Sequence, residues 1–320
     1  MTDHHNKKTV AARVGGVFPA LQGWLLRQPF FTSWLLPRLP RSVRWGLRRV
    51  YFTPLDLLER LQGKHDDMVP PYAARFTGYS GDDFLASGQG LADAVKTVAG
   101  LEAHSRVLDI GSGIGRLAIP LTRMLVPPGS YDGIDVVESG VRWCSTKITP
   151  RFPHFRFTLA DVANTEYNPS GSVSAADYTL PYADASFDIV VLYSVFTHML
   201  PADMERYVAE ISRVLKTGGR CFATYIIVDE DAKKSMESGA GLYSFKHHVD
   251  HHWLFASTTK SPELGVGYDE PYIRELFTSH GLELRDGIYF GSWSGLPPRS
   301  GAVEPIDLWQ DLVLGVKRSE

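Results

Sequence analysis

A chain of 320 residues with 44% hydrophobic and 22% charged residues has the length and composition of one large globular domain with an appendage. Its two cysteines, Cys144 and Cys221, exclude a disulfide framework and point to a reducing compartment, here the cytoplasm. The formal net charge of −3 hides an asymmetry: residues 1–52 hold nine Lys or Arg against one acid, a net +8 that leaves −11 on the remainder.

The basic N-terminal segment also carries Trp24, Phe30, Phe31, Trp34, Trp45 and several leucines between its arginines. Its longest uncharged run, residues 14–26, falls short of the about 20 apolar residues that cross a bilayer, and no signal-peptide cleavage pattern follows. Trp, Leu and Arg together are the mixture of helices that lie in a membrane interface. Pro19, Pro29, Pro37 and Pro40 divide the segment into short pieces. Two readings stay open: contact at the inner membrane face, making the protein peripheral there, or packing as a lid or homo-oligomer arm. A nucleic-acid arm is disfavoured, because such arms carry less aliphatic bulk and the rest of the chain is acidic. Residues 1–65 are taken as this segment and residues 66–320 as the main domain. Residues 70–72 (PPY) mark a loop, residues 80–84 (SGDDF) read as a polar turn with Phe84 either touching a ligand or, the preferred reading, packing in the core, and a helix is expected over 88–101.

The next stretch, RVLDIGSGIGR at 106–116, reads as a strand running into a glycine turn at Gly111, Gly113 and Gly115, with a helix beginning at Leu117. Glycines let a backbone approach a ligand closely, and a helix start offers free N–H donors. Dinucleotide-binding folds use a similar turn. Asp109, just before it, would repel a pyrophosphate and suits a cationic amino-acid ligand such as S-adenosylmethionine (SAM). A second strand ends in Asp135, a third (155–162) in Asp161 followed by Val162, a fourth spans 186–193, and a fifth follows the glycine pair at 218–219. Acids at successive strand ends converge on one crevice in a doubly wound sheet.

Together VLDIGSGIGR (107–116), GIDVV (133–137), LADV (159–162), LPYADASFDIVVLYSVFTHM (180–199) and RVLKTGGR (213–220) resemble the class I SAM-dependent methyltransferases, a Rossmann-like family, over roughly residues 90–318. The resemblance implies an α/β fold with a doubly wound, mostly parallel seven-stranded sheet. It puts the sixth strand near 282–293 and the seventh at 310–318, inserted antiparallel. It also implies SAM as cofactor. Asp109, Gly111, Ser112, Gly113 and Gly115 would hold the methionine end. Arg116 would contact its carboxylate or an acidic neighbour, Asp135 the ribose hydroxyls, and Val136 the adenine face. Asp161 would take the adenine amino group, Val162 would stack, and Ser194 or Tyr193 would approach the sulfonium.

Methyl transfer from a sulfonium is an in-line displacement in which the enzyme chiefly positions the acceptor, and a hydroxyl acceptor gains from a general base. His198, close after the fourth strand, is the first candidate. His248 and His251, in the histidine-rich run 246–253 of an expected lid insertion over 229–268, are the second. No metal is expected: consecutive histidines diverge, and Mg²⁺ prefers carboxylates and water to imidazole. Asp229, Glu230 and Asp231 fall near the same pocket or mark an exposed helix start. The absence of a [DN]-P-P-[YF] tetrapeptide at Tyr193 points away from DNA base N-methylation. The expected activity is O-methylation of a hydroxyl on a glycan, glycolipid or other small molecule, with a lipid-linked glycan among the acceptors. A soluble natural product or phenol is the alternative acceptor, and a non-catalytic SAM-fold binding protein the alternative class.

Overall fold

The computed structural model describes residues 46, 52–54, 56–57, 67–75, 81–165, 167–239, 245, 247–254, 263, 265–300 and 308–319. The chain divides into two compact units, Met1–Gly81 and Asp82–Glu320. In the first, Arg75 is buried, donates from Nε to the Pro70 carbonyl at 2.8 Å and holds its guanidinium 4.1 Å over the Tyr72 ring. Residues 1–45 and 47–51, which hold the basic, Trp-rich stretch read as a membrane or lid segment, lie outside the described residues.

The second unit is built on one sheet. Five parallel strands run β3 (Phe155–Leu159), β2 (Ser130–Asp135), β1 (Arg106–Ile110), β4 (Phe187–Leu192) and β5 (Leu215–Tyr225) across it. Two more strands follow in space, β11 (Asp311–Lys317) and β9 (Leu282–Phe290). β11 is antiparallel to both neighbours, as expected for the seventh strand. A two-residue strand, β10 (Arg299–Ser300), caps the β9 edge. The apolar runs of β1, β2 and β4 are buried almost throughout, as strands covered on both faces must be. Spatial order reverses between β1 and β4, so the ligand crevice lies at the carboxyl ends there.

Helices α1 (Gly81–Ala99), α2 (Ala118–Leu121), α3 (Glu138–Lys147), α4 (Pro201–Val214), α5 (Glu230–Glu237) and α6 (Glu270–Ser279) complete the unit. In α4 the proline at its first position is preset for helix, and Met204, Tyr207, Val208, Ile211 and Val214 repeat at helical spacing and are buried. Beside them Phe196, Tyr225 and Phe277 pack ring to ring at 5.0 and 6.2 Å. Each such buried side chain stabilises the fold by about 1.5–3 kcal/mol.

Two expectations are corrected. Residues 81–84 are not a turn but the first turn of α1, because Phe84, Leu91, Ala92, Val95 and Ala99 form one buried stripe at helical spacing. The helix after the glycine turn is a single turn, Ala118–Leu121, and Arg116 stands before it.

The insertion after β5 contains α5 and a three-stranded antiparallel sheet, β6 (His247–Val249), β7 (His252–Leu254) and β8 (Val266–Tyr268). This sheet continues from the end of β5: the Tyr268 amide donates to Ile226 at 2.8 Å and the Val228 amide to Tyr268 at 2.9 Å.

Candidate cofactor and acceptor site

The glycine turn hangs from β2. The Gly111 amide donates to the Ile134 carbonyl at 2.8 Å, the Ser112 amide to the same carbonyl at 3.2 Å, and the Gly115 amide to Ser112 at 3.1 Å. Gly111, Gly113 and Gly115 take φ of +81°, +59° and +86°, the left-handed region open to glycine. A Cβ at Gly111 would stand 2.4 Å from a Val195 methyl, so the loop after β4 closes against bare backbone. Ser112 is buried, and its hydroxyl has no partner among the described residues. An orphaned buried hydroxyl in a left-handed glycine cradle fits a ligand with polar groups.

The strand-end acids differ in environment. Asp109 is 3% exposed and accepts a hydrogen bond from the Tyr131 hydroxyl; burial pushes its carboxyl up to about 7 against that bond. Asp135, also buried, ties the turn to its own strand end, accepting from the Gly113 amide at 2.7 Å and the Val137 amide at 2.7 Å. Burial pushes its carboxyl up, and these amides oppose the shift. Each oxygen retains a second lone pair with which to meet a ribose hydroxyl. Val136 is half-buried against the core. Asp161 lies beyond β3 and is exposed; hydrogen bonds from the Ser172 hydroxyl and amide hold its carboxyl below the usual range. Val162, beside it, is buried. The Arg116 guanidinium lies 4.6 Å over the Tyr193 ring, which joins the glycine turn to the end of β4.

Across the crevice, Ser194 adopts φ +60°, a strained conformation for a residue with a side chain. A buried network holds it. Its amide donates to Thr224 Oγ1 at 2.8 Å, its hydroxyl to Gln310 Oε1 at 2.9 Å, and the Thr224 hydroxyl to the same Gln310 oxygen at 2.6 Å. Next to Gln310, Asp311 accepts from the Ile227 amide at 2.6 Å, the Gly291 amide at 2.8 Å and Trp293 Nε1 at 2.7 Å. Burial pushes its carboxyl up to about 7 against these three donors. Asp229 caps α5 through the Ala232 amide at 2.8 Å and pairs with Arg299, while Glu230 and Asp231 pair with Lys233 and Lys234 on the helix itself. Thr224, Gln310, Asp311 and Arg299 were not legible as site residues. The one available signal was the polar pair Gln310-Asp311 at the head of an apolar strand.

His198 ends a 3-10 turn, Phe196–His198, just past β4. Its Nδ1 lies 2.9 Å from the Glu263 carbonyl, and Tyr167 meets its ring edge-on at 5.8 Å. A carbonyl only accepts, so Nδ1 carries the hydrogen and the neutral ring keeps its lone pair on Nε2. His248 and His251 have other neighbours. His248 Nε2 meets Asp269 Oδ2 at 2.9 Å and stacks on Trp253 at 4.3 Å, while His251 stacks on Tyr272 at 5.2 Å. No described contact joins either ring to the glycine turn or to Ser194. Among the described residues, no three His, Cys, Asp or Glu side chains gather as metal ligands.

Residues 108–223 match the sequence profile of a family described as a methyltransferase domain. A phthiotriol/phenolphthiotriol dimycocerosates methyltransferase of Mycobacterium tuberculosis is 33% identical over 114 residues, 36% of this chain and 35% of that protein. A tRNA N(3)-cytidine methyltransferase of Gallus gallus is 28% identical over 167 residues, 48% of this chain and 40% of that protein. The chain thus spans about a third to two fifths of the length of these curated relatives. Among solved structures, the YcgJ protein of Bacillus subtilis aligns with a TM-score of 0.45 at 19% identity, covering 72% of this chain and 99% of that one. Residues 108–223 are thus similar to a methyltransferase-domain family, and the motif residues and the order of the strands around them are those expected of the class I SAM-dependent methyltransferase fold.

Proposed function

We propose that this protein transfers a methyl group from SAM to a hydroxyl oxygen of a lipid-linked or other small-molecule acceptor, working at a membrane surface. The observation that carries the reading is the left-handed glycine turn beside the buried Asp109 and Asp135 at the carboxyl ends of β1 and β2; His198, in the turn that follows β4, supports it with its Nδ1 on the Glu263 carbonyl. Asp109 meets the cationic methionine end and Asp135 the ribose. SAM supplies the activated methyl group. With SAM bound, its sulfonium would give up the methyl group and keep the C–S pair, and His198 Nε2 would take the proton of the acceptor hydroxyl. The Glu263 carbonyl then steadies the imidazolium through Nδ1.

Two observations favour a lipid-linked acceptor. The similar Mycobacterium tuberculosis protein is named for dimycocerosate acceptors, and residues 1–52 combine a net charge of +8 with tryptophan and leucine. Among the described residues, no helix is long and apolar enough to cross a membrane.

The test is transfer of labelled methyl from SAM to lipid-linked glycans, free sugars, phenols and tRNA in parallel, with calorimetric titration of SAM, S-adenosylhomocysteine and NADH. Label in the lipid-linked or sugar hydroxyls supports the proposal. Label in tRNA overturns the acceptor, and tight adenosyl binding with no transfer to any acceptor favours a binding protein.

A further inference from the structure

The strands β1 and β2 place two buried polar groups on one sheet face. Val107 pairs with Tyr131 and Asp109 with Gly133, so Tyr131 stands one alternation behind the position opposite Asp109. The Tyr131 ring is wholly buried, stacked on Phe155 at 5.2 Å and tilted against Phe157 at 5.6 Å. That packing leaves the hydroxyl one direction, towards Asp109 Oδ2. Asp109 Oδ1 takes no hydrogen bond among the described residues. One oxygen of the Asp109 carboxylate is thus fixed, and the other remains for a ligand at the glycine turn that begins two residues later.

We propose that Tyr131 is a positioning residue for the cofactor, its hydroxyl holding Asp109 so that the second carboxylate oxygen meets the ammonium of the methionine end. The inference rests on the SAM reading above and adds a residue that the methyltransferase motifs do not contain. It also brings a pH dependence. The groups facing the pair are Asp135 at the end of β2, which disfavours a second negative charge, Arg116 in the glycine turn, which favours it, and the Cys144 thiol of α3. Burial leaves Asp109 changing charge near pH 7, and the Tyr131 hydroxyl favours the ionised form. Because a cation binds the ionised form, affinity rises with pH through this range, about tenfold per unit below it. Without the hydroxyl, the rise moves to higher pH.

The experiment is calorimetric binding of SAM and S-adenosylhomocysteine from pH 5.5 to 8.5 to the wild type, Tyr131→Phe and Asp109→Asn, with thermal melting to confirm folding. The falling limb above about pH 8 belongs to the ligand's own α-amino group and is common to all three. Tyr131→Phe should weaken SAM about fivefold at pH 7, the equivalent of one ordinary hydrogen bond, and move the rising limb upward. Asp109→Asn should abolish the rising limb. An unchanged profile in folded Tyr131→Phe overturns the role of Tyr131 alone, and a rising limb that survives Asp109→Asn overturns the assignment to Asp109. Wild-type protein that binds neither ligand at any pH removes the cofactor reading itself. Proton release on wild-type binding near pH 7, read in buffers of different ionisation enthalpy, tests the same pair without a variant; none released overturns it.

Discussion

The two sides of the strand-end crevice are assembled by different means. On the side of β1 and β2, the groups come from residues 109–137 and are fixed largely by backbone donors: Ile134 receives the Gly111 and Ser112 amides, and Asp135 receives those of Gly113 and Val137. On the side of β4, β5 and β11, side chains from distant parts of the chain hold one another. The Ser194–Gln310 bond spans 116 residues and the Thr224–Gln310 bond 86. A backbone turn needs a fixed short run of residue types. A side-chain network needs only compatible partners, wherever the chain supplies them. A side built the first way suits a constant ligand, and one built the second way can vary without disturbing it.

The largest expected effect tests the chemistry on the second side. His198→Ala should lower turnover by about 10²–10⁴-fold, the usual span for a lost general base, with SAM affinity unchanged. Initial rates at saturating SAM, paired with calorimetry, check this; undiminished turnover removes His198 as the base. Next is Asp135→Ala on the first side. It strands the Gly113 and Val137 amides, each at about 1–3 kcal/mol, and should weaken SAM about 100-fold while leaving the acceptor KM alone. An unchanged SAM affinity would remove the ribose assignment.

A smaller effect probes the division directly. Thr224→Val keeps the shape but leaves the Ser194 amide without its acceptor, at about 1–3 kcal/mol of stability by thermal unfolding. The acceptor KM should rise several-fold, with SAM affinity within about twofold. If SAM affinity instead falls as far as in Asp135→Ala, the two sides act as one unit and the comparison fails.

The same contrast explains what could be read in advance. The strands and the glycine turn were legible because apolar runs and left-handed glycines are local requirements, whereas the parallel sheet and its antiparallel last strand followed from the family resemblance. The start of α1 was missed because Gly81, Asp82 and Asp83 look like turn chemistry, while the stripe from Phe84 to Ala99 that overrides them emerges only against the core. The role of Tyr131 was not legible, since nothing in SYDGID tells which acid its hydroxyl will face. The histidine run 247–252 carried no periodicity, and its two three-residue strands are set by pairing with each other and, through β7, with β8.

That hairpin gives the smallest effect and decides on which side of the comparison it belongs. Asp269 joins it to α6, accepting from Trp253 Nε1 at 2.8 Å and meeting His248 at 2.9 Å. Burial pushes the Asp269 carboxyl up, but the bonds from Trp253 and His248 outweigh it and hold the group below its ordinary value of 3.8. A lowered carboxyl stabilises the fold above that value, and the contribution is lost as pH falls through the folded one. The wild type should therefore be more stable than Asp269→Asn at pH 7, by under about 1 kcal/mol because the pair is part-exposed, with the gap closing below about pH 4. Melting curves at pH 7 and pH 3.5 measure both. Loosening a hairpin that only supports the fold leaves turnover near the wild-type value. A turnover loss well beyond the stability change would instead bring His248 or His251 into the acceptor side of the crevice.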